Sequence, residues 1–264
     1  MLEIFAGCAR LTGAVHHAGM RTAAPLDIRR GPHADLSRAP AQQLLLKQLR
    51  AGRFWYVHLG TPCTRWVPAG GNRPPRPLGL QLAVLTVRII RLCRQLGIHY
   101  TFENPPTSRI WRWRPLEKEL ARAAHPKVVF DSCCFGAPFR KPGAIAGSFA
   151  ELDLLGQRCG CSTPHRVVLQ GLVKHPTLGW VWRTSLAGAY LPRWCRALAA
   201  IAARHAPDNA WGRATGSQHA AWDHAMAAAT GQPAPQATGV PLCPVRYRLP
   251  WRDSWPSVLT RPGR

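Results

Sequence analysis

Short apolar runs alternate with stretches of helical spacing from the first residue onward, and no other feature constrains the fold as tightly. LEIFAG (2–7) reads as a strand and RLTGAVHHAG (10–19) as a helix that ends on a glycine. TAAPLDI (22–28) reads as a second strand, APAQQLLLKQLRAG (39–52) as a helix, and FWYVHLG (54–60) as the next strand. The longest periodic segment, LGLQLAVLTVRIIRLCRQLG (78–97), has apolar residues at 82, 85, 89, 92 and 96 and stops at Gly97. IHYTFEN (98–104) follows as a strand, PLEKELARAA (115–124) as a helix opened by proline, and KVVFDSCCFG (127–136) as a further strand. This order predicts an α/β chain with a doubly wound, mostly parallel sheet covered by helices on both faces.

The pattern weakens past residue 136. RVVLQG (166–171) reads as a strand, and SLAGAYLPRWCRALAAIAARHA (185–206) as one long helix with a proline near its start. Residues 207–264 contain eight prolines and no sustained periodicity, which predicts a poorly ordered tail. The expected division is an α/β domain over 1–141, a small irregular lobe over 142–184, a returning helix over 185–206 and a basic tail over 207–264.

Charge narrows the partners. The 264 residues carry 35 Lys+Arg against 12 Asp+Glu, a formal net charge of +23. Such a surface attracts polyanions, of which nucleic acid is the commonest, although abundant Arg, Ala, Gly and Pro also fit a compositional bias without binding. In the tail, VRYRLPWRDSW (245–255) interleaves basic and aromatic residues, a pattern that suits stacking on nucleic acid but also a plain solvated tail. No apolar run approaches the ~18 residues of a membrane span. The nine cysteines are odd in number and lack the spacing of a disulfide scaffold, so a reducing compartment is expected. Met1 directly precedes the first apolar run, which leaves no room for a targeting segment. A monomer is expected.

Ligands of doubly wound sheets bind at the carboxyl ends of the strands, and the informative residues fall there. After the first strand, Phe5 and Gly7 form a glycine turn into a helix whose N–H groups can receive a polar ligand. Asp27 ends the second strand about 20 residues on, where an acid binding ribose hydroxyls belongs, and Asp35 follows in HADLS. Together they point to an adenosyl ligand. Cys63 and Glu103 end two later strands. A thiolate and a carboxyl at adjacent strand ends suit covalent attack on a heteroaromatic ring, the acid steadying a ring nitrogen as charge builds. Taken singly, each has a plainer reading, a buried thiol and a turn cap. Arg65 is placed to lower the thiol pKa.

LEIFAGCARLTGAVHHAG resembles the first motif of DNA cytosine-5 methyltransferases. GTPC resembles their Pro-Cys motif, FEN their Glu-Asn motif, CFGAPFRKPGAIAGS the later stretch that closes over the base, and SLAGAYLPRW their last motif. The motifs keep the family order and cover residues 1–204. The resemblance implies a Rossmann-like methyltransferase fold with a reduced second lobe, S-adenosylmethionine as cofactor and DNA as partner. It implies that Phe5 and Gly7 hold the methionine and adenine parts of the cofactor, Asp27 the ribose and Asp35 the adenine, with Pro62 lining the pocket. Cys63 would attack carbon 6 of a flipped-out cytosine while Glu103 hydrogen-bonds ring nitrogen 3, and carbon 5 would take the methyl group. Arg140 or Lys141 would contact the base or its phosphate. The chain departs from the family at Ala9, Phe139, Gly143 and Ala187–Gly188, and its short segment after Arg140 implies slight sequence specificity.

Two rival readings remain. Asn104-Pro105-Pro106 is a fragment of the adenine amino-methyltransferase motif, but Thr107 stands where an aromatic ring should stack on the base. A catalytically inactive, DNA-binding relic of the same fold is the other. Finally, Cys159, Cys161 and His165, with Cys133 or Cys134, have the residue types of a zinc site but not the spacing of a standard finger. A metal-free loop is expected.

Overall fold

The computed structural model describes residues 1–64, 66–67, 77–122, 127–175, 179–212 and 216–233. Five strands form one mixed sheet: β1 (Leu2–Ile4), β2 (Tyr56–Leu59), β3 (His99–Asn104), β4 (Val128–Asp131) and β5 (Pro142–Gly147), in the spatial order β1-β2-β3-β5-β4. β1, β2 and β3 are mutually parallel, while β5 runs antiparallel to both β3 and β4. The helices are α1 (Arg10–His17), α2 (Ala39–Arg50), α3 (Pro77–Gln95), α4 (Arg114–Leu120), α5 (Arg183–Leu186), α6 (Pro192–Arg204) and α7 (Gly216–Thr230).

Strand pleating sends alternate side chains into two cores. Leu2, Ile4, Val57, Leu59, Tyr100 and Phe102 pack with α2, α3 and α4 through Leu45, Leu49, Ile89, Ile90 and Leu116. Tyr56 and Ile145, on the opposite face, pack with Leu11 and Val15 of α1 and Trp194, Leu198 and Ile201 of α6. Two covered faces explain why the strands read as nearly continuous apolar runs. Each fully buried Leu or Ile contributes about 1.5–3 kcal/mol, so these two layers hold the sheet. No helix among the described residues is long and apolar enough to cross a membrane.

The structure departs from the sequence expectations in particular places. The strand over 22–28 shrinks to a single parallel bridge between Leu26 and Ile4, because the Asp27 side chain accepts the Arg29 N–H and turns the chain into a short 3-10 helix. Residues 142–147, assigned to the irregular lobe, form β5 inside the main sheet. A Cβ on Gly147 would lie 2.3 Å from the Tyr100 carbonyl, so the small residues that disguise this strand are what let it fit beside β3. The strand over 127–136 ends at Asp131 and passes into a 3-10 turn, Ser132–Phe135. RVVLQG is not a regular strand: Val167 N–H donates to the Pro138 carbonyl and the Gly171 carbonyl accepts from Arg183 N–H, both at 3.0 Å, and the regular pairing lies further on, in the hairpin β6 (Leu172–His175) and β7 (Gly179–Trp182).

The long helix over 185–206 is broken. Leu191 is extended (φ −79°, ψ 141°) before Pro192, as the proline ring demands, so α6 starts at Pro192 and residues 187–191 cross as an open strap. Part of the tail is ordered: α7 packs on α2, with Met226 fully buried and Asp223 paired to Arg30 at 3.1 Å. Alanine-rich α7 has little amphipathic contrast, which hid it. Arg65, the last two residues of the helix expected over 115–124, and the basic-aromatic stretch 245–255 lie outside the described residues.

Candidate active site at the carboxyl ends of the parallel strands

From β1 the chain steps to Leu26 on one side of the strand, then returns to β2 on the other. In open α/β sheets such a reversal is where a ligand-binding crevice forms, here beyond the carboxyl ends of β1 and β2. The turn leaving β1 is strained: Phe5 (φ 59°), Gly7 (φ 54°) and Ala9 (φ 52°) are all left-handed, which costs about 1 kcal/mol or more at each non-glycine. Hydrogen bonds hold it. Gly7 N–H donates to Asp27 Oδ2 at 2.8 Å, Arg29 N–H to Asp27 Oδ1 at 2.9 Å, and Ala6 N–H to the Leu26 carbonyl at 3.1 Å.

Ala9 offers no side chain to cap α1, and Glu3 on β1 takes over. Its Oε2 accepts from Thr12 N–H at 2.7 Å and from Thr12 Oγ1 at 2.5 Å. Burial pushes the Glu3 carboxyl up to about 7. Phe5, Gly7 and Asp27 therefore meet at one strand end. Asp35 sits in the turn ahead of α2, its Oδ1 accepting from Ser37 N–H at 2.9 Å.

β2 ends at Gly60, where a Cβ would lie 2.8 Å from Tyr190 Oη and 3.1 Å from the Phe5 carbonyl, so only glycine admits this approach. The following loop carries Pro62 and Cys63, both half-buried. Asn104 at the end of β3 fixes that loop by donating from Nδ2 to the Thr61 carbonyl at 2.7 Å, and Thr61 Oγ1 pairs with Thr86 Oγ1 of α3 at 2.8 Å. Trp66 N–H closes the turn on the Cys63 carbonyl at 2.9 Å. Glu103, one residue before Asn104, points to the opposite face and into the crevice.

Cys63, Glu103 and Lys141 are close enough to bias one another's charge. Burial pushes the Cys63 thiol up, the Glu103 carboxylate pushes it further, and the Lys141 ammonium pulls it back down. Glu103 is raised by burial, against the lowering influence of Lys141 and of the hydrogen bond from Tyr190. Lys141 is lowered by burial and raised by the two acids, and its Nζ donates to the Ala187 carbonyl at 2.7 Å. Arg140 is placed differently. It is exposed, and its guanidinium is engaged by Asp131 at 3.2 Å, so among the described residues the cation facing the thiol and the acid is Lys141. Phe139 is buried in the core on the α6 side.

A line of buried polar groups runs into Glu103 from behind. Tyr56 Oη is 2.7 Å from Thr101 Oγ1, which is 2.7 Å from His58 Nδ1; His58 Nε2 is 3.0 Å from Tyr190 Oη, which donates to Glu103 Oε2 at 3.1 Å. Complete burial drives the His58 pKa down to about 3, so the ring is neutral. One donor order satisfies every link: Tyr56 to Thr101, Thr101 to Nδ1, Nε2–H to Tyr190, Tyr190 to Glu103. The relay fixes the His58 tautomer and holds Glu103 Oε2. Sequence reasoning missed His58 and Tyr190. The available signal was polar residues at alternate positions of otherwise apolar strands, His58 and Thr101, which mark one buried face.

No protein-family model matches the chain, and no curated protein matches it.

Proposed function

We propose that this chain transfers a methyl group from S-adenosylmethionine to carbon 5 of cytosine in DNA, through a covalent bond from Cys63 to carbon 6 of the ring. The observation that carries the reading is the meeting of Cys63 and Glu103: a thiol and a carboxyl from adjoining parallel strand ends, sharing Lys141 between them. A mostly parallel α/β sheet of the doubly wound, Rossmann-like type suits that cofactor, with the crevice at its strand reversal.

The β1 turn fits the adenosyl group. Asp27 uses one lone pair of each carboxylate oxygen on the turn, which leaves others for sugar hydroxyls, and half-buried Phe5 offers an apolar face. By the resemblance, Asp35 and Pro62 would line the same pocket. The bound cofactor supplies an electrophilic methyl group. Lys141 stabilises the Cys63 thiolate as it adds to carbon 6, and Glu103, its carboxyl raised by burial, hydrogen-bonds ring nitrogen 3 as the ring gains electrons. When the carbon 5 proton is lost, the same electrons expel the Cys63 thiolate. All these groups come from one copy of the chain, which fits action as a monomer.

A flipped-out base is required, because carbon 6 is unreachable inside a stacked duplex. The net charge of +23 suits the DNA backbone. On the β6–β7 hairpin, Trp180 and Trp182 are 69% and 60% exposed on the face shared with Lys174, an arrangement suited to stacking on bases. The amino-methyltransferase reading is weakened because Asn104 is buried and spends its amide on Thr61.

The test uses DNA containing 5-fluorocytosine, which blocks the final step, together with labelled S-adenosylmethionine. The parent protein gives a denaturation-resistant, labelled adduct, and Cys63→Ser gives none while still binding cofactor. Equal adduct from the variant rejects the assignment. Label on adenine favours the amino-methyltransferase, and tight DNA binding with neither label nor adduct favours the inactive relic.

A further inference from the structure

Three cysteines and a histidine from two separate segments converge away from the crevice. Cys133 stands on the 3-10 turn that follows β4, while Cys159, Cys161 and His165 stand on the irregular loop after Gly156. Their Sγ and imidazole nitrogen atoms all lie within 4.8 Å of one another, and Cys159 Sγ is 3.5 Å from His165 Nε2. A zinc ion bound by sulfur at ~2.3 Å and nitrogen at ~2.0 Å sets tetrahedral edges of roughly 3.8 Å between sulfurs and 3.5 Å between sulfur and nitrogen. The group needs to close by no more than about 1 Å to reach that geometry.

We propose that Cys133, Cys159, Cys161 and His165 bind one structural zinc ion. Four protein ligands complete the tetrahedron and leave no open position for water or substrate, so the metal clamps and does not catalyse. Cys134 is not a ligand: it packs against the apolar core beside α6. The sequence left Cys133 and Cys134 as equals, and the expected metal-free loop gives way to a preorganised site.

A disulfide is the competing use of paired thiols, and the cluster is built for something else. Cys133, Cys159 and Cys161 form no disulfide, and one would consume two of these thiols while stranding the third beside the imidazole. Three thiolates, a neutral imidazole and a divalent cation carry a net charge of −1, and the surroundings answer it. Asp131 accepts the Cys159 N–H at 3.0 Å and also holds Arg140 and Arg158, each at 3.2 Å, so two guanidiniums flank the loop. The loop between Gly156 and Val167 has no helix or strand of its own, and these bonds to Asp131 are among its few fastenings.

The clamp reaches the crevice through the backbone. Ser132, next to Cys133, donates from both its N–H (3.1 Å) and its Oγ (2.6 Å) to the Lys141 carbonyl. Fixing the turn at Cys133 therefore fixes the segment that presents Lys141.

The test is metal content, which does not depend on the proposed methyl transfer. Untagged full-length protein, purified under reducing conditions and dialysed, should hold one zinc per chain. Replacing it with cobalt should give the intense visible bands of a tetrahedral site and a thiolate-to-cobalt charge-transfer band. Cys159→Ser and Cys161→Ser should each lose at least ten-fold in zinc affinity, while Cys134→Ser keeps the parent value. Should the variants misfold, the parent decides: Cys133, Cys159 and Cys161 should resist alkylation until a chelator is added, while Cys8 and Cys63 react either way. Parent protein with less than a tenth of an equivalent of zinc, equal loss from Cys134→Ser, iron with acid-labile sulfide, or an oxidised cysteine pair in place of metal would each overturn the proposal.

Discussion

Replacing Tyr190 by phenylalanine removes a single oxygen and interrupts the polar relay at its last joint. The ring survives, tilted against Trp194 at 4.8 Å and edge-to-face with His58 at 5.4 Å, so little packing is lost. Two hydrogen bonds disappear. His58 Nε2–H is left without a partner in a wholly buried position, a cost of about 1–3 kcal/mol. Glu103 loses a donor that favours its charged form, but it borders the crevice, where water can substitute; only the His58 cost counts toward stability. In a chain of this size each kcal/mol moves the midpoint by about 2–4 °C, so a fall of roughly 2–12 °C is expected by calorimetry. Freed Oε2 lets Glu103 rotate, and loss of ~1.4 kcal/mol in positioning slows adduct formation about ten-fold. Calorimetry and the timed fluorocytosine trap read the two effects separately. If Tyr190→Phe melts within 1 °C of the parent and traps at the parental rate, the hydroxyl carries neither function and the relay argument fails.

The electrostatic triangle predicts shifts of opposite sign in the pH profile of Cys63 alkylation. Its midpoint should lie above the ordinary thiol value, move down in Glu103→Gln, and move up in Lys141→Met; shifts in the same direction would show that the sulfur does not feel both groups. Stability against pH tests Glu3. Its folded pKa of about 7 exceeds the ordinary 4.5, so its contribution is complete below 4.5 and is lost as the pH rises through 7. His58 acts in reverse, with a folded value of about 3 against 6.5, and its contribution is lost as the pH falls below 6.5. Glu3→Gln removes the first and leaves the second, so between pH 7 and 4.5 the variant should lose about 2–3 kcal/mol more than the parent. Urea midpoints at the two pH values measure this, and equal losses would mean that Glu3 does not titrate in that interval.

What the sequence revealed about the molecule follows the length scale of the physics. Continuous runs such as FWYVHLG and IHYTFEN announce strands buried on both faces, and both form, as adjacent parallel strands that end beside Cys63 and at Glu103–Asn104. β5 was hidden because PGAIAG contains two glycines and two alanines, residues chosen by close approach to Tyr100 and Phe130 and not by strand propensity. The break before Pro192 was visible as a residue type, yet its consequence depends on tertiary contacts: the strap it releases is what brings Tyr190 against Gly60 and Glu103. The thiol–imidazole cluster was undecidable from spacing, because Cys133 joins Cys159, Cys161 and His165 only through the fold of β4 against the later loop.

The register of β3 is what makes the crevice chemical. Glu103 and Asn104 are consecutive, and the pleat gives them opposite tasks, one toward the relay and the crevice, the other bracing the Cys63 loop from the α3 side. A slip of one residue would exchange them, placing a carboxylate in the apolar layer and freeing the loop that holds the thiol. β3 is protected from that slip on both edges. β2 pairs it in parallel from Tyr56–His99 to Leu59–Phe102, and β5 pairs it antiparallel at Glu103–Ile145 and Asn104–Ala144. The antiparallel strand thus does more than extend the sheet: it locks the end of β3 where the acid must stand, and the backbone turn immediately before it presents Lys141. One strand insertion couples the position of the acid to that of the cation, so a substitution that weakens β5 should disturb both before it unfolds the sheet.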